Sequence, residues 1–230
     1  MNTAKKINPW IIAISGASGT IYGRRLIDLL ENNFSSLQIE VVVSESAARV
    51  MREEEGIKFP TSRVTAKDLI GRESDRIRFH SNEDIGALIA SGSYVTSGMV
   101  ICPASMKTVA GVSVGYGNNL IERAADVTLK ERRNFIIVPR ETPFSEIHLE
   151  NLLRIMRLGG KVVPAMPGFY NNPSTIMDIV DHLVLKIMDQ MGFDPEDLKG
   201  IAPRWKEERD QAWNDSKKVT SIRARNLKSV

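Results

Sequence analysis

Cysteine is nearly missing from this chain. Cys102 is the single one in 230 residues, so no internal disulfide can form and a reducing compartment is the natural setting. Long apolar runs are missing too. No stretch approaches the ~18 residues of a membrane span. The polar opening from Met1 to Pro9, with Lys5 and Lys6, has no apolar segment behind it and does not read as a secretory signal. The expectation is a cytoplasmic protein without membrane contact. No His/Cys/Asp cluster has metal-ligand spacing, so no metal is expected. A broad surplus of one charge is lacking as well. The net charge is +3, but the segment from Arg204 to Val230 carries +4 and the rest −1. Basicity therefore sits in a polar tail, and Trp205 and Trp213 lie there without regular aromatic interleaving, which speaks against nucleic acid.

Two nucleotide signatures are absent. The first glycine-rich loop reads Gly16-x-x-Gly19-x-x-x-Gly23, not G-x-G-x-x-G, and Ser44 stands where a ribose-binding acid would be expected, although Glu45 is adjacent. No Gly-Lys-Ser/Thr closes a phosphate loop of the nucleotide-hydrolase kind.

What is present is an alternation. Short apolar runs, Trp10–Ile14, Ile39–Val43, Met99–Cys102, Phe135–Val138 and Lys161–Ala165, are mostly rich in Ile and Val, as parallel strands buried on both faces are. Helical patterns follow them: Tyr22–Asn32, Ser46–Glu55, Thr108–Val112 with Leu120–Arg132, Glu146–Leu158 and Thr175–Met191. In the last, Ile176, Ile179, Val180, Leu183 and Ile187 form one apolar face. This order predicts an α/β domain with a mostly parallel sheet and helices on both faces. We place it at residues 10–203, after a polar extension (1–9) and before a charged tail (204–230), with Pro195 and Pro203 at the exit from the core. The region Gly56 to Gly92 reads as loops with one or two short elements. Met156, Met166, Met177, Met188 and Met191 read as core filler. His148 and His182, in helical patterns, read as structural, and His80 has no assigned role.

Ligands of open α/β sheets bind beyond the carboxyl ends of the strands. Those ends carry Ser15-Gly16-Ala17-Ser18-Gly19-Thr20, then Ser44, then Ser105-Met106-Lys107-Thr108, then Arg140-Glu141, then Pro167-Gly168-Phe169-Tyr170. The first loop is either a tight turn or an anion cradle at a helix start. Arg123 and Lys130, seven apart, share a helix face; a solvated face partnered by Glu122, Asp126 and Glu131, or a phosphate grip, would both use them.

Taken together and in order, Ile14-Ser15-Gly16-Ala17-Ser18-Gly19-Thr20-Ile21-Tyr22-Gly23, Ala90-Ser91-Gly92-Ser93, Ser105-Met106-Lys107-Thr108, Asn118 to Arg133, Val138-Pro139-Arg140-Glu141-Thr142-Pro143, Ile147-His148-Leu149-Glu150-Asn151 and Pro167-Gly168-Phe169-Tyr170 resemble the UbiX/Pad flavin prenyltransferases over roughly Ile11 to Trp205. The resemblance implies a flavodoxin-like, Rossmann-like three-layer α/β/α fold, a homododecamer with sites at subunit contacts, and transfer of a dimethylallyl group from a dimethylallyl phosphate, the monophosphate being usual for bacterial relatives and the diphosphate the alternative, to reduced FMN, followed by ring closure. The prenylated FMN would serve a UbiD-type decarboxylase, in ubiquinone biosynthesis or phenolic-acid breakdown. FMN would be held by Gly16, Ala17, Ser18, Ser44, Ser105, Met106, Lys107, Thr108 and Arg140. The donor would be gripped by Ser18, Arg123, Lys130, Arg140, Tyr170 and Lys186. Lys186 stands where the family often has Arg, keeping the charge without the planar fork. Glu141 is the expected proton relay, with Glu54 as a second carboxylate. Pro167 and Pro173 bracket Tyr170, as either a closing loop or a plain turn. Rival readings are a flavin-dependent cysteine decarboxylase, disfavoured because Met106-Lys107 replaces its usual Ala-Asn, and a non-catalytic flavin carrier.

Overall fold

The computed structural model describes residues 8–58, 64–170, 172–198 and 200. Most of the N-terminal extension, Pro203 and the tail with Trp205 and Trp213 lie outside the described residues.

Among the described residues, six parallel strands form one sheet in the order β3-β2-β1-β4-β5-β6. They are β1 (Trp10–Ile14), β2 (Ile39–Val43), β3 (Ile77–Ser81), β4 (Gly98–Ala104), β5 (Asn134–Pro139) and β6 (Lys161–Val162). The central strands alternate between two cores. Trp10, Ile12 and Ile14 of β1, Val100 and Cys102 of β4, and Ile136 and Val138 of β5 face one core. Ile11, Ala13, Met99, Ile101, Phe135 and Ile137 face the other. Burial on both faces explains the unbroken apolar runs.

Helices α1 (Thr20–Asn33), α2 (Glu45–Glu55), α3 (Ala66–Ile70) and α7 (Ile176–Met191) cover the first face. Helices α4 (Met106–Ser113), α5 (Leu120–Lys130) and α6 (Glu146–Arg157) lie on the side of the second. The result is the three-layer doubly wound fold. Strand order reverses between β1 and β4, so the loops after these two strands flank the switch point.

The region from Gly56 to Gly92 holds more than expected: α3, β3 and a short 3-10 turn at Leu88–Ala90. β3 is an edge strand, and its Ile-Arg-Phe-His-Ser sequence lacks the continuous apolar run of its neighbours. It also builds a buried polar knot. Glu40 on β2 is 1% exposed and accepts hydrogen bonds from Tyr94 Oη at 2.5 Å and from the His80 ring at 2.6 Å. Burial would raise the Glu40 carboxyl, but these bonds and nearby Arg78 hold it below the usual range. His80 thus gains a structural partner on the neighbouring strand.

Two further expectations are corrected. The fifth apolar run is a strand only at Lys161–Val162, although Val163 and Ala165 still donate to the carbonyls of Ile137 and Pro139. Met188 and Met191 are core residues, but Met156, Met166 and Met177 are exposed. Met156 sits on the outer face of α6, and Met166 and Met177 flank the loop that carries Tyr170, so helical spacing alone misplaces them.

Candidate active site

The strand ends meet in one row. Ser44 N–H donates to the Ile14 carbonyl, Arg140 N–H to Ala104, and Ala165 N–H to Pro139. At the switch point Ser15 locks the two central loops together. Its hydroxyl donates to the Pro103 carbonyl (3.2 Å) and accepts from Ser105 N–H (2.8 Å). Ser15 is 2% exposed, so this bridge is a buried structural device and not a ligand contact.

Behind the β1 loop sits α2. A Cβ on Gly16 would lie 2.3 Å from Ser46 Oγ, so only glycine lets the loop approach this helix start. Ser46 was not singled out from sequence; its one signal is a second small hydroxyl two residues after Ser44. Gly19 has φ 88° at the start of α1, and its N–H donates to Glu54 Oε2 at 2.9 Å. Glu54 therefore does reach the loop, as an anion on a helix N-terminus. Glu55, read from sequence only as the end of a helix, accepts from Thr20 Oγ1 at 2.7 Å and pairs with Arg24, fixing the same turn.

Ser44 and Ser105 cap their helices, accepting from Ala47 N–H and Thr108 N–H. The Ser105 and Thr108 hydroxyls lie 3.1 Å apart. Ala17, Met106 and Thr108 are buried, Ser18 is half-buried and Lys107 is exposed. Beside Ser105, Arg140 is half-buried, yet its Nε is fully buried and makes no hydrogen bond. A charged donor left unpartnered inside a protein is costly, and an anion delivered to this row of helix starts would satisfy it. Glu141 follows directly, half-buried, with Oε1 accepting from Thr142 N–H at 2.9 Å. These observations fit FMN: backbone loops without bulk, two Ser-capped helix starts and an unmatched guanidinium nitrogen.

The other expected cations lie on different elements from Arg140. Arg123 and Lys130 are on α5, whereas Lys186 is on α7, packed against the opposite face of the sheet. Arg123 is exposed and donates to Asp126 at 3.1 Å. Lys130 lies at the far end of α5, 3.7 Å from Glu131, just before β5 begins, while Arg140 follows the end of β5. A six-residue strand spans roughly 20 Å. Lys130 instead lines a basic cavity of about 600 Å³ with Ser113, Asp126, Arg132, Arg154 and Arg157. Tyr170 and Lys186 form a third group around α7: Tyr170 Oη is 2.6 Å from His182 Nε2, and Lys186 is one turn further on.

Known proteins share the fold and much of the sequence. The family described as Flavoprotein matches residues 1–189. The chain is 47% identical over 180 residues to the flavin prenyltransferase LpdB of Lactiplantibacillus plantarum, covering 78% of this chain and 90% of that protein. Among solved structures, a dodecameric FMN-dependent UbiX-like decarboxylase from Escherichia coli O157:H7 is 38% identical with a TM-score of 0.75, covering 86% of this chain and 99% of that one. AnUbiX (PadA1), in complex with FMN and dimethylallyl pyrophosphate, is 33% identical with a TM-score of 0.74, covering 86% and 97%.

Proposed function

The chain belongs to the Flavoprotein family and, within it, to the UbiX-type flavin prenyltransferases, and from that membership we infer that it transfers a dimethylallyl group from a dimethylallyl phosphate to reduced FMN. The observation that carries this reading to the site is the buried, unpartnered Nε of Arg140 beside the Ser15–Ser105 bridge.

When bound, reduced FMN supplies the electron-rich ring that accepts the allyl carbon. The chain's residues do the rest. Gly16, Ala17, Ser18 and Ser44 offer close backbone and small hydroxyls; Ser105, Met106, Lys107 and Thr108 form the opposite wall; Arg140 closes it. Breaking the allylic C–O bond leaves negative charge on the departing phosphate. Ser18, Arg123, Lys130, Arg140, Tyr170 and Lys186 stabilise that charge as fixed donors. Lys130 and Arg140 lie about a strand length apart in one protomer, so this reading has subunits share sites. A homododecamer like that of the E. coli relative would supply the missing cations from a neighbouring copy. Exposed Ile147, Leu149, Leu153 and Met156 on α6 are suited to such contacts. Ring closure would need one proton added to the allylic double bond and one removed from the attacked ring carbon, with no net release; Glu141 would relay it, with Glu54 of α2, held at the β1 loop by Gly19 N–H, as a second carboxylate. The product passes to a UbiD-type decarboxylase. A cytoplasmic site of action goes with this reading; among the described residues no helix is long and apolar enough to cross a membrane.

The test is the mass of the flavin released after incubation with reduced FMN and dimethylallyl monophosphate. Prenylated FMN is expected; unmodified FMN alone would sink the reading. Arg123→Ala separates the two ligands. Loss of one charge-assisted contact should weaken donor binding about 10-fold or more with FMN affinity unchanged. Equal losses for both, by calorimetry, would place Arg123 in the fold or the flavin site instead.

A further inference from the structure

His182 lies on the second turn of α7 with both ring nitrogens turned to the loop that carries Tyr170. Gly168 N–H donates to Nδ1 at 3.4 Å, and Tyr170 Oη lies 2.6 Å from Nε2. The two rings meet edge to face with centroids 5.1 Å apart. The turn between them is tight. A Cβ on Gly168 would fall 2.6 Å from the Tyr170 ring and 3.4 Å from the imidazole, so glycine is what lets the tyrosine fold back onto the helix.

The bonding fixes the tautomer. Because Nδ1 accepts from a backbone N–H, the single proton of a neutral ring sits on Nε2 and is donated to Tyr170. The tyrosine hydroxyl accepts there, which fixes the direction in which it meets the helix. Protonation of the ring would set two donors against each other at Nδ1 and break this end of the latch.

We propose that His182 is a positioning residue for the donor pocket: as neutral imidazole it ties down both ends of the Gly168–Tyr170 turn and so sets where the tyrosine hydroxyl meets the allylic donor's phosphate. The proposal rests on the prenyl-transfer reading, which gives Tyr170 its partner, but His182 itself follows from the geometry. The surroundings favour the neutral ring: burial and then Lys186, one turn on, lower the His182 pKa from its ordinary value. The other charges nearby are engaged elsewhere. Asp178, one turn back, accepts from the backbone N–H groups of Ser174 and Thr175. Asp181 is held by Arg25 of α1 through two bonds, of 2.6 and 2.9 Å.

The experiment compares His182→Phe and His182→Gln with the unaltered protein, all FMN-loaded, using dimethylallyl monophosphate as probe. Calorimetry gives the donor Kd, steady-state assay gives KM and kcat, and both are taken between pH 5.5 and 8. His182→Phe should raise donor Kd and KM about 10-fold or more while kcat and FMN affinity change little. His182→Gln, which can still donate to Tyr170, should recover most of the affinity. The donor's second ionisation, near pH ~6 for a phosphate monoester, is common to all and cancels in the ratio of variant to unaltered protein. That ratio should shrink as pH falls and the native ring protonates, because Gln does not titrate.

Donor affinities equal to the unaltered protein's in both variants would overturn the proposal. So would parallel losses of FMN and donor, or a donor affinity of His182→Gln no better than that of His182→Ala, the variant that stands in if His182→Phe does not fold. If the unaltered protein neither binds the donor nor alkylates FMN, the parent reading falls, and this one with it.

Discussion

Glu141→Gln is expected to lower the yield of prenylated FMN per unit time by about 10²- to 10⁴-fold, the range typical of losing a general acid–base group, while leaving FMN binding intact. Glu141 follows Arg140 at the carboxyl end of β5, and its Oε1 accepts from Thr142 N–H at 2.9 Å. One carboxylate oxygen is thus oriented by the backbone, and the other is the one we assign to the proton relay of ring closure. Glutamine keeps an oxygen for the Thr142 N–H and keeps the shape, so the loop should stay in place. What it loses is the ability to accept a proton. The measurement is single-turnover formation of the product mass, beside a flavin titration of the same protein. Undiminished product at unchanged flavin affinity would remove Glu141 from the mechanism and leave the departing phosphate as the base.

A second large effect is expected at Gly23, inside α1. Replacing a helical glycine with alanine ordinarily stabilises by ~0.5–1 kcal/mol. Here the sign should reverse. A Cβ at Gly23 would lie 2.1 Å from the carbonyl oxygen of Cys102 on β4 and 3.1 Å from the Ile14 side chain. Backbone cannot yield as a long side chain can, so α1 must move off the sheet. Overpacking of this kind costs about 1–3 kcal/mol, which for a chain of this size is a fall in Tm of roughly 2–12 °C. The displacement should also reach the Gly16–Gly19 loop, which leads directly into α1, and weaken FMN binding. Thermal unfolding at fixed protein concentration, with and without FMN, checks both parts. A Gly23→Ala protein as stable as its parent would show that the α1–β4 approach is looser than the structure has it.

The contrast between Gly23 and Gly16 shows what sequence could and could not give. Both belong to a loop-and-helix pattern legible from residue types, but the reason for each glycine is a distant atom: the Cys102 carbonyl for one, Ser46 for the other. The same holds for charge. Arg140-Glu141 was placed correctly at a strand end because Phe135–Val138 is an unmistakable buried run. Arg123, Lys130 and Lys186 could be assigned to helices, yet not to a side of the sheet. β3 escaped notice since an edge strand tolerates Arg78 and His80, and its partner for them, Glu40, lies on another strand.

Residue order alone was enough to establish the alternating α/β architecture and the family that its loops resemble. Periodicity within a segment reports how many of its faces are buried, and strand ends are where an open parallel sheet leaves backbone groups for a ligand. Packing had to settle the rest. It put α5, with Arg123 and Lys130, and α7, with Lys186, on opposite faces of the sheet. It folded Tyr170 back onto His182, and it left Arg140 Nε without a partner. These outcomes depend on which element each crossover sets beside which, a matter of contacts between residues far apart in the chain.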